Sequence, residues 1–316
     1  MNIVLWIAVF VASLVVLLKA SDYFIAAAER IGLALGISPF VVGVTIVAAG
    51  TSLPELVTSV VAVLNDTSEI VVGNVIGSNI ANILLVLGLT LVISKSIQIK
   101  HNIGKIDLPF LLLSVALFVF FTWDYKIVLW EAIAFVGMNI VYLIVASRQG
   151  KVIAELDSDN KSRNKAELRD YLFLLGGAAG IWLGASYTVE SVIKLSEIMQ
   201  IGSDKIALTA VALGTSLPEL MVSLAAGRKG SSEIVVGNVL GSNIFNTLLV
   251  MGVPGFMGSL LIPEDNFVFS IPVMVIATVL FTIFAFSRKL KVWQGWLFFI
   301  GYIAFMSYLI LSMAQA

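Results

Sequence analysis

The chain contains no cysteine and a single histidine, and charged residues make up only 12% of its 316 positions. The lack of cysteine excludes disulfides and thiolate metal sites, and one histidine, His101, is too few for a transition-metal site. Soluble domains contain about 25% charged residues, whereas this chain is 59% hydrophobic with a mean hydropathy of +1.03. These values predict an all-α integral membrane protein. The net charge of −1 argues against nucleic acid as a partner.

Ten apolar runs are long enough to cross a bilayer as helices, which takes about 20 residues each. The longest polar break predicts a first five-helix repeat at 1–147, a cytoplasmic linker at 148–169 and a second five-helix repeat at 170–316. No basic residue precedes the first run, which favours a retained helix over a signal peptide. Residues 22–35 are either the end of that helix or a separate interfacial helix. The predicted spans are approximately 3–19, 38–63, 70–93, 106–123, 127–147, 170–187, 204–227, 234–258, 267–287 and 293–313.

The basic residues indicate the orientation. If the N-terminus lies outside, the cytoplasmic links contain every lysine and arginine except Lys126, Lys194 and Lys205. Because basic residues concentrate in cytoplasmic loops, we expect both termini on the outer side of the membrane.

The two halves repeat the same motifs at a constant offset of 164 residues. GTSLPEL stands at 50–56 and at 214–220, and GNVIGSNIANILLVLG at 73–88 corresponds to GNVLGSNIFNTLLVMG at 237–252. With five spans in each half, an odd number, equivalent helices run in opposite directions. This inverted-topology architecture is typical of secondary transporters, whose sites lie near the midplane where the repeats meet.

Each GTSLPEL motif places a carboxylate, two hydroxyls and a proline at membrane depth. A charge there is costly, so Glu55 and Glu219 are expected to have a function. Pro54 has no N–H and is expected to free the Gly50 carbonyl, while Thr51 shares a face with Glu55. Oxygen ligands of this kind suit a hard cation such as Ca²⁺. The second copy offers the same set through Ala212, Thr215, Ser216 and Glu219.

The second motif supplies glycines for close packing and further neutral oxygens. Its glycine pairs, Gly73/Gly77 and Gly237/Gly241, predict close helix approach. Ser78 and Asn82 share one face and can complete a cation shell, and Ser242 and Asn246 repeat them. The remaining asparagines fall on other faces and are predicted to hydrogen-bond between helices: Asn74, Asn79, Asn238 and Asn243.

Both motifs closely resemble the signature α-repeats of the Ca²⁺/cation antiporter superfamily, and the chain looks like its prokaryotic sodium/calcium exchangers. The resemblance implies a core of four motif-bearing helices around one calcium site and several sodium sites. It also implies that the first and sixth helices, here 3–19 and 170–187, slide past this core. The ligands it implies are the carboxylates of Glu55 and Glu219, oxygens of Thr51 and Thr215, flanking sodium sites at Ser52, Ser216, Ser78, Ser242, Ala48 and Ala212, and a central shell completed by Asn82 and Asn246.

One position departs from the family pattern. Several members have an aspartate where this chain has Asn246, so two ionisable groups remain in the core instead of three. The sequence predicts a Na⁺/Ca²⁺ antiporter working by alternating access, with a Ca²⁺/H⁺ antiporter at the same two glutamates as the alternative. The inverted repeat disfavours a channel, and the lack of a G-x-S-x-G elbow disfavours a hydrolase.

The remaining expectations concern the setting of the protein. We expect no enzymatic activity and no resident cofactor, with Ca²⁺ and Na⁺ as the transported substrates. We also expect a multi-pass protein of the inner membrane that contacts the lipid bilayer and functions as a monomer.

Overall fold

The computed structural model describes residues 3–64, 66, 68–156, 166–199, 214, 216–264 and 266–315. Almost all of this chain is helical. The helices are α1 (Ile3–Leu35), α2 (Pro39–Val42), α3 (Ala48–Leu64), α4 (Glu69–Ala81), α5 (Gly88–Ser94), α6 (Asp107–Phe121), α7 (Leu129–Leu156), α8 (Leu168–Met199), α9 (Leu217–Arg228), α10 (Ser232–Phe245), α11 (Met251–Gly255), α12 (Ile271–Phe286) and α13 (Val292–Gln315). Wider π-helical turns lie at Gly43–Val47, Asn82–Leu87, Asn246–Val250 and Asn266–Ser270.

Seven helical segments of the described chain are long and apolar enough to cross a membrane. They are Ile3–Leu35, Pro39–Leu64, Glu69–Ser94, Leu129–Ala146, Ser232–Gly255, Phe267–Phe286 and Val292–Ser312. The predicted multi-pass helical architecture is confirmed to this extent. The predicted span at 106–123 forms the shorter apolar helix α6, and the span at 170–187 lies inside α8. The span at 204–227 is described only at Gly214 and from Ser216 onward.

Three helices extend well beyond the predicted apolar runs, and one of them is α8, which continues to Met199 past the run that ends at 187. α1 continues without a break through residues 22–35, so this segment is the end of the first helix and not a separate one. α7 continues to Leu156, so the beginning of the predicted linker at 148–169 is helical. Its polar residues are good helix formers, and they prolong the helix although they end the apolar pattern. Residues 157–165 lie outside the described part.

α1 and α8 pack against each other along their lengths in antiparallel fashion. Near one end, the hydroxyls of Ser13 and Thr188 lie 2.9 Å apart, and at the other end Arg30 Nε contacts Asp170 Oδ1 at 2.5 Å. Between them, a Cβ placed on Gly184 would lie 2.9 Å from the backbone of α1. Small residues on α8 therefore let the two helices approach closely, as in other membrane helix pairs.

Two short antiparallel strand pairs join the two halves of the chain. β1 (Ser96–Gln98) pairs with β4 (Lys289–Lys291), and β2 (Lys126–Ile127) pairs with β3 (Leu260–Leu261). Ile97 faces Leu290 in the first pair, and Lys126 faces Leu261 in the second. In the repeat, Ile97 is equivalent to Leu261 and Lys126 is equivalent to Leu290, since each pair is 164 residues apart. The two strand contacts are therefore equivalent to each other. The sequence repeat is thus also a repeat of strand register.

Helix α10 lies at the centre of the molecule, with every residue from Ile234 to Phe245 buried. A Cβ on Gly237 would lie 2.5 Å from the Phe40 carbonyl, and a Cβ on Gly241 would lie 2.5 Å from the Val44 carbonyl. The predicted close approach is confirmed for this pair. A Cβ on Gly77 would meet nothing within 4 Å among the described residues. Gly77 is the repeat equivalent of Gly241, whose neighbours are Val44 and Ala48. The equivalents of those two neighbours are residues 208 and 212, which lie outside the described part.

Candidate ion-binding site

The two motif glutamates lie buried where the two halves of the chain meet. Glu55 on α3 is 0% exposed and Glu219 on α9 is 1% exposed. The hydroxyl of Ser52, in the first motif, donates a hydrogen bond of 3.1 Å to Oε1 of Glu219, in the second. The first GTSLPEL motif therefore contacts the second directly.

Both motif prolines, each next to its glutamate in sequence, line one cavity. This cavity, of about 280 Å³, lies between α3 and α8, and Gly50, Pro54, Trp182 and Pro218 are among its lining residues. Pro54 has no N–H to donate to the Gly50 carbonyl, but α3 still runs unbroken from Ala48 to Leu64. Proline removes one backbone donor, but its fixed φ is compatible with a helix. The irregular backbone is instead the π-helical turn Gly43–Val47, just before the motif.

The second copy of the motif begins its helix differently. Pro218 lies in the first turn of α9, where a missing N–H costs nothing. The preceding residue Ser216 is non-helical, with φ −90° and ψ 0°, and its hydroxyl has no partner among the described residues. Thr215 and Ala212, both predicted ligands, lie outside the described residues.

Thr51 of the first motif reaches the second repeated motif of the other half. Its Oγ1 lies 3.3 Å from Asn238 Oδ1, 3.5 Å from Ser242 Oγ and 3.3 Å from the Ala48 carbonyl. The Thr51 and Ser242 hydroxyls carry one proton each, and either can donate to the other, so two protons serve these four oxygens. The structure therefore collects more oxygen acceptors here than donors, which favours a cation.

Six of the ten predicted ligands that the structure describes have buried polar atoms without any hydrogen-bond partner among the described residues. These atoms are both carboxylate oxygens of Glu55, Oε2 of Glu219, the hydroxyls of Ser78 and Ser216, and the side-chain amides of Asn82 and Asn246. Leaving a buried polar group unpaired costs about 1–3 kcal/mol, and more for a charged group. No ion pair in the described part of the chain involves either glutamate. A bound cation would satisfy these oxygens together.

Two asparagines hold the motif helices in equivalent ways. The Asn74 amide donates to the Glu55 carbonyl at 3.3 Å and to Ser59 Oγ at 3.1 Å. In the other half, the Asn238 amide donates to the Glu219 carbonyl at 3.5 Å and to Ser223 Oγ at 3.0 Å. Each bond is related to its counterpart by the 164-residue offset. These asparagines fix the backbone of the helix turn that presents each carboxylate.

The predicted interhelical role of the motif asparagines is confirmed for three of the four. Besides Asn74 and Asn238, Asn79 donates to Thr247 Oγ1 at 2.7 Å. Asn243 is the exception, because neither atom of its amide has a partner among the described residues. The roles of Ser59 and Ser223 were not predicted, although each follows its glutamate by four residues and the spacing is repeated in the sequence.

The two central asparagines begin equivalent irregular turns. Asn82 opens the π-helical turn Asn82–Leu87, and Asn246 opens the turn Asn246–Val250. Such π-bulges are rare and are often found at functional sites. Both asparagines are 0% exposed, and Ser242 and Ala48 are equally buried nearby in the same core. The wider turns leave the backbone less regular at the same position in both halves.

Comparison with known proteins agrees with this geometry. A family model described as "Sodium/calcium exchanger protein" matches residues 5–148 and 170–311. The chain is 34% identical to sodium/calcium exchanger MaX1 of Methanosarcina acetivorans over 94% of this chain and 96% of that protein. It is 30% identical to inner membrane protein YrbG of Escherichia coli over 91% of each. A solved structure of the sodium-calcium exchanger NCX_Mj, soaked with zero Na⁺ and Ca²⁺, matches with a TM-score of 0.86 and 33% identity over 98% of this chain and 100% of that chain. The chain therefore belongs to the sodium/calcium exchanger family.

Proposed function

We propose that this protein is a secondary active antiporter that exchanges Na⁺ for Ca²⁺ across the cell membrane by alternating access. The observation behind this proposal is the buried pair Glu55 and Glu219, whose unpartnered oxygens lie at the contact between the two motif copies. Family membership and the names of the relatives support the same function. The protein is a transporter and we assign it no enzymatic role.

The two carboxylates set the total positive charge that the site can bind. One Ca²⁺ or two Na⁺ neutralise them, so Ca²⁺ and Na⁺ compete for the same negative groups. The described part of the chain has no cluster of three or more acidic, histidine or cysteine side chains. A Ca²⁺ ion prefers six to eight oxygen ligands, so neutral oxygens must complete its shell.

We assign these oxygens by their positions around the glutamates. Asn82 and Asn246, with Thr51 and Thr215, complete the central shell. The flanking Na⁺ sites use Ser52, Ser216, Ser78, Ser242 and the backbone carbonyls of Ala48 and Ala212. The Ser52 contact with Glu219 and the unpartnered hydroxyls of Ser78 and Ser216 support this assignment.

The architecture that fits the exchange is a pair of inverted five-helix repeats with both termini outside. The repeats are 1–147 and 170–316, separated by the cytoplasmic segment 148–169. The equivalent strand registers, asparagine contacts and π-helical turns support the repeat, and the family model matches each half separately. An odd number of spans in each half inverts one repeat relative to the other.

Alternating access requires part of the molecule to move past the site. The α1–α8 pair is the moving unit in this proposal, because its helices pack mainly against each other while α10 is held at the centre. The cavity beside Pro54 and Pro218 lies on the α8 side of the site. We propose a monomer in the lipid bilayer of the inner membrane, without a resident cofactor.

The test is Ca²⁺ flux in proteoliposomes under separate ion gradients. Ca²⁺ uptake driven by an outward Na⁺ gradient, and abolished when Na⁺ is equal on both sides, is the expected result. Uptake that follows a pH gradient and ignores Na⁺ would instead establish the Ca²⁺/H⁺ alternative, which the two-carboxylate core also permits. Flux without any counter-ion requirement would refute both antiporters.

A further inference from the structure

Two hydroxyls beyond the ion site are buried without an apparent reason. Thr90 on α5 is 0% exposed, and neither its Oγ1 nor Ser94 Oγ has a hydrogen-bond partner among the described residues. Buried helical hydroxyls ordinarily bond to a carbonyl one turn earlier, as Thr278 does to Met274 at 2.8 Å. An unpaired hydroxyl loses its hydration without compensation. The two residues therefore need an explanation that helix packing does not give.

These hydroxyls lie along a continuation of the ion site. The π-helical turn that begins at Asn82 leads directly into α5, and Glu219 stands at the start of α9, which packs against α5. Further along, a Cβ on Gly227 would lie 2.6 Å from Ser94 Oγ and 2.9 Å from Thr90 Cγ2. The backbone of α9 thus touches both residues, two turns beyond the carboxylate.

The other half of the chain lacks this polar extension. The equivalents of the two hydroxyl residues are Pro254 and Gly258, and the equivalent of the facing glycine is Val63. A Cβ on Gly258 would lie 3.5 Å from Val63 Cγ1, so the same two segments meet there through apolar groups. The repeats share the ion site itself but differ in the residues that lie beyond it.

The polar extension leads to the basic side of the molecule. Lys95 and Lys100 follow α5, and Arg228 and Lys229 end or follow α9. Under the proposed orientation this side is cytoplasmic, since basic residues concentrate there.

We propose that the hydroxyl oxygens of Thr90 and Ser94, on the helix that packs against Gly227, form a transit site for Na⁺ between the two glutamates and the cytoplasm. This inference rests on the proposed Na⁺/Ca²⁺ exchange. Neutral hydroxyls suit a monovalent cation that keeps part of its hydration, whereas Ca²⁺ requires more oxygens and favours carboxylates. Gly227 has no side chain, so α9 can close directly onto the Ser94 hydroxyl and the Thr90 methyl group and separate from them when the path opens. Because the other half is apolar at this place, the site serves one face of the membrane only.

The test is the Na⁺ dependence of exchange measured separately from each face. Thr90→Val and Ser94→Ala remove the hydroxyls and nearly preserve shape, and their double variant is compared with wild type in inside-out and right-side-out vesicles. We expect the half-saturating Na⁺ concentration at the cytoplasmic face to rise about tenfold, equivalent to about 1.4 kcal/mol, with no change at the outer face. Thr278→Val and Ser114→Ala are matched controls, because each removes a buried hydroxyl whose hydrogen bond, among the described residues, is to a carbonyl of its own helix.

Any other result of these measurements would refute the transit site. Equal losses at the two faces, or no loss at either, would overturn it, because a one-sided path predicts asymmetry. Loss of Ca²⁺ binding in detergent by the double variant would also overturn it, because the hydroxyls would then belong to the central site. Wild-type vesicles without Na⁺-driven Ca²⁺ flux would overturn the exchange proposal together with this one. If wild-type exchange is intact but the double variant affects both faces equally, only the transit site is refuted and the exchange proposal stands.

Discussion

Replacing Glu55 by glutamine keeps the shape of the side chain but removes one of the two buried charges. Both of its carboxylate oxygens are buried and lack a partner among the described residues, so a bound cation is the expected charge partner. Truncating one member of a buried charge pair costs about 2–5 kcal/mol or more. A loss of about 2–5 kcal/mol weakens Ca²⁺ binding by roughly 30- to 5,000-fold.

Calorimetric titration and thermal unfolding in detergent measure this loss in two independent ways. At a Ca²⁺ concentration of 100 Kd, the wild-type protein should gain about 2.7 kcal/mol of stability, whereas Glu55→Gln should gain almost none at the same concentration. Without Ca²⁺, the variant should unfold at a higher temperature than wild type, because an uncompensated buried charge is destabilising.

A matched control separates site chemistry from the general effect of removing a carboxylate. Glu131 is 6% exposed, and its Oε2 accepts the N–H of Val128 at 2.8 Å, so its role is local. Glu131→Gln should bind Ca²⁺ as wild type does. If Glu55→Gln and Glu219→Gln both kept wild-type affinity for Ca²⁺, the two-carboxylate site would be refuted.

Three further substitutions test the ligands and the packing of the core. Ser52→Ala removes the hydrogen bond to the second carboxylate, worth about 1.5–3 kcal/mol for a charged acceptor, and should raise the half-saturating Na⁺ concentration for exchange; an unchanged value would contradict the Na⁺ assignment. Gly241→Ala would bring a Cβ to 2.5 Å from a backbone carbonyl and should cost about 1–3 kcal/mol in thermal unfolding, whereas Gly301→Ala, whose Cβ would meet a Leu84 methyl at an ordinary 3.8 Å, should be nearly neutral. Asn246→Asp adds a third ionisable group and should change the charge moved per Ca²⁺, measured as the voltage dependence of flux; identical voltage dependence would argue against a ligand role for this residue.

The sequence by itself determined the membrane class, the repeat and the two glutamates. Low charge and long apolar runs leave no alternative to a membrane environment, and a carboxylate duplicated in identical settings at that depth is hard to explain without a function. The fixed offset also predicted pairs of equivalent residues, such as Asn74 and Asn238, before their contacts were known. These conclusions depend only on composition and spacing, which a linear chain displays fully.

Only the tertiary structure decided where the backbone is irregular and which groups lack partners. Pro54 cannot donate to the Gly50 carbonyl, yet α3 continues through it, which the sequence alone does not show. The π-helical turns at Asn82 and Asn246 have no sequence signature and are seen only in the folded chain. Likewise, the Thr90 hydroxyl looks like ordinary helix polarity in the sequence. Whether a polar atom is satisfied depends on neighbours that are distant in sequence, so the unpartnered atoms around Glu55 and at Thr90 are visible only once the chain is folded.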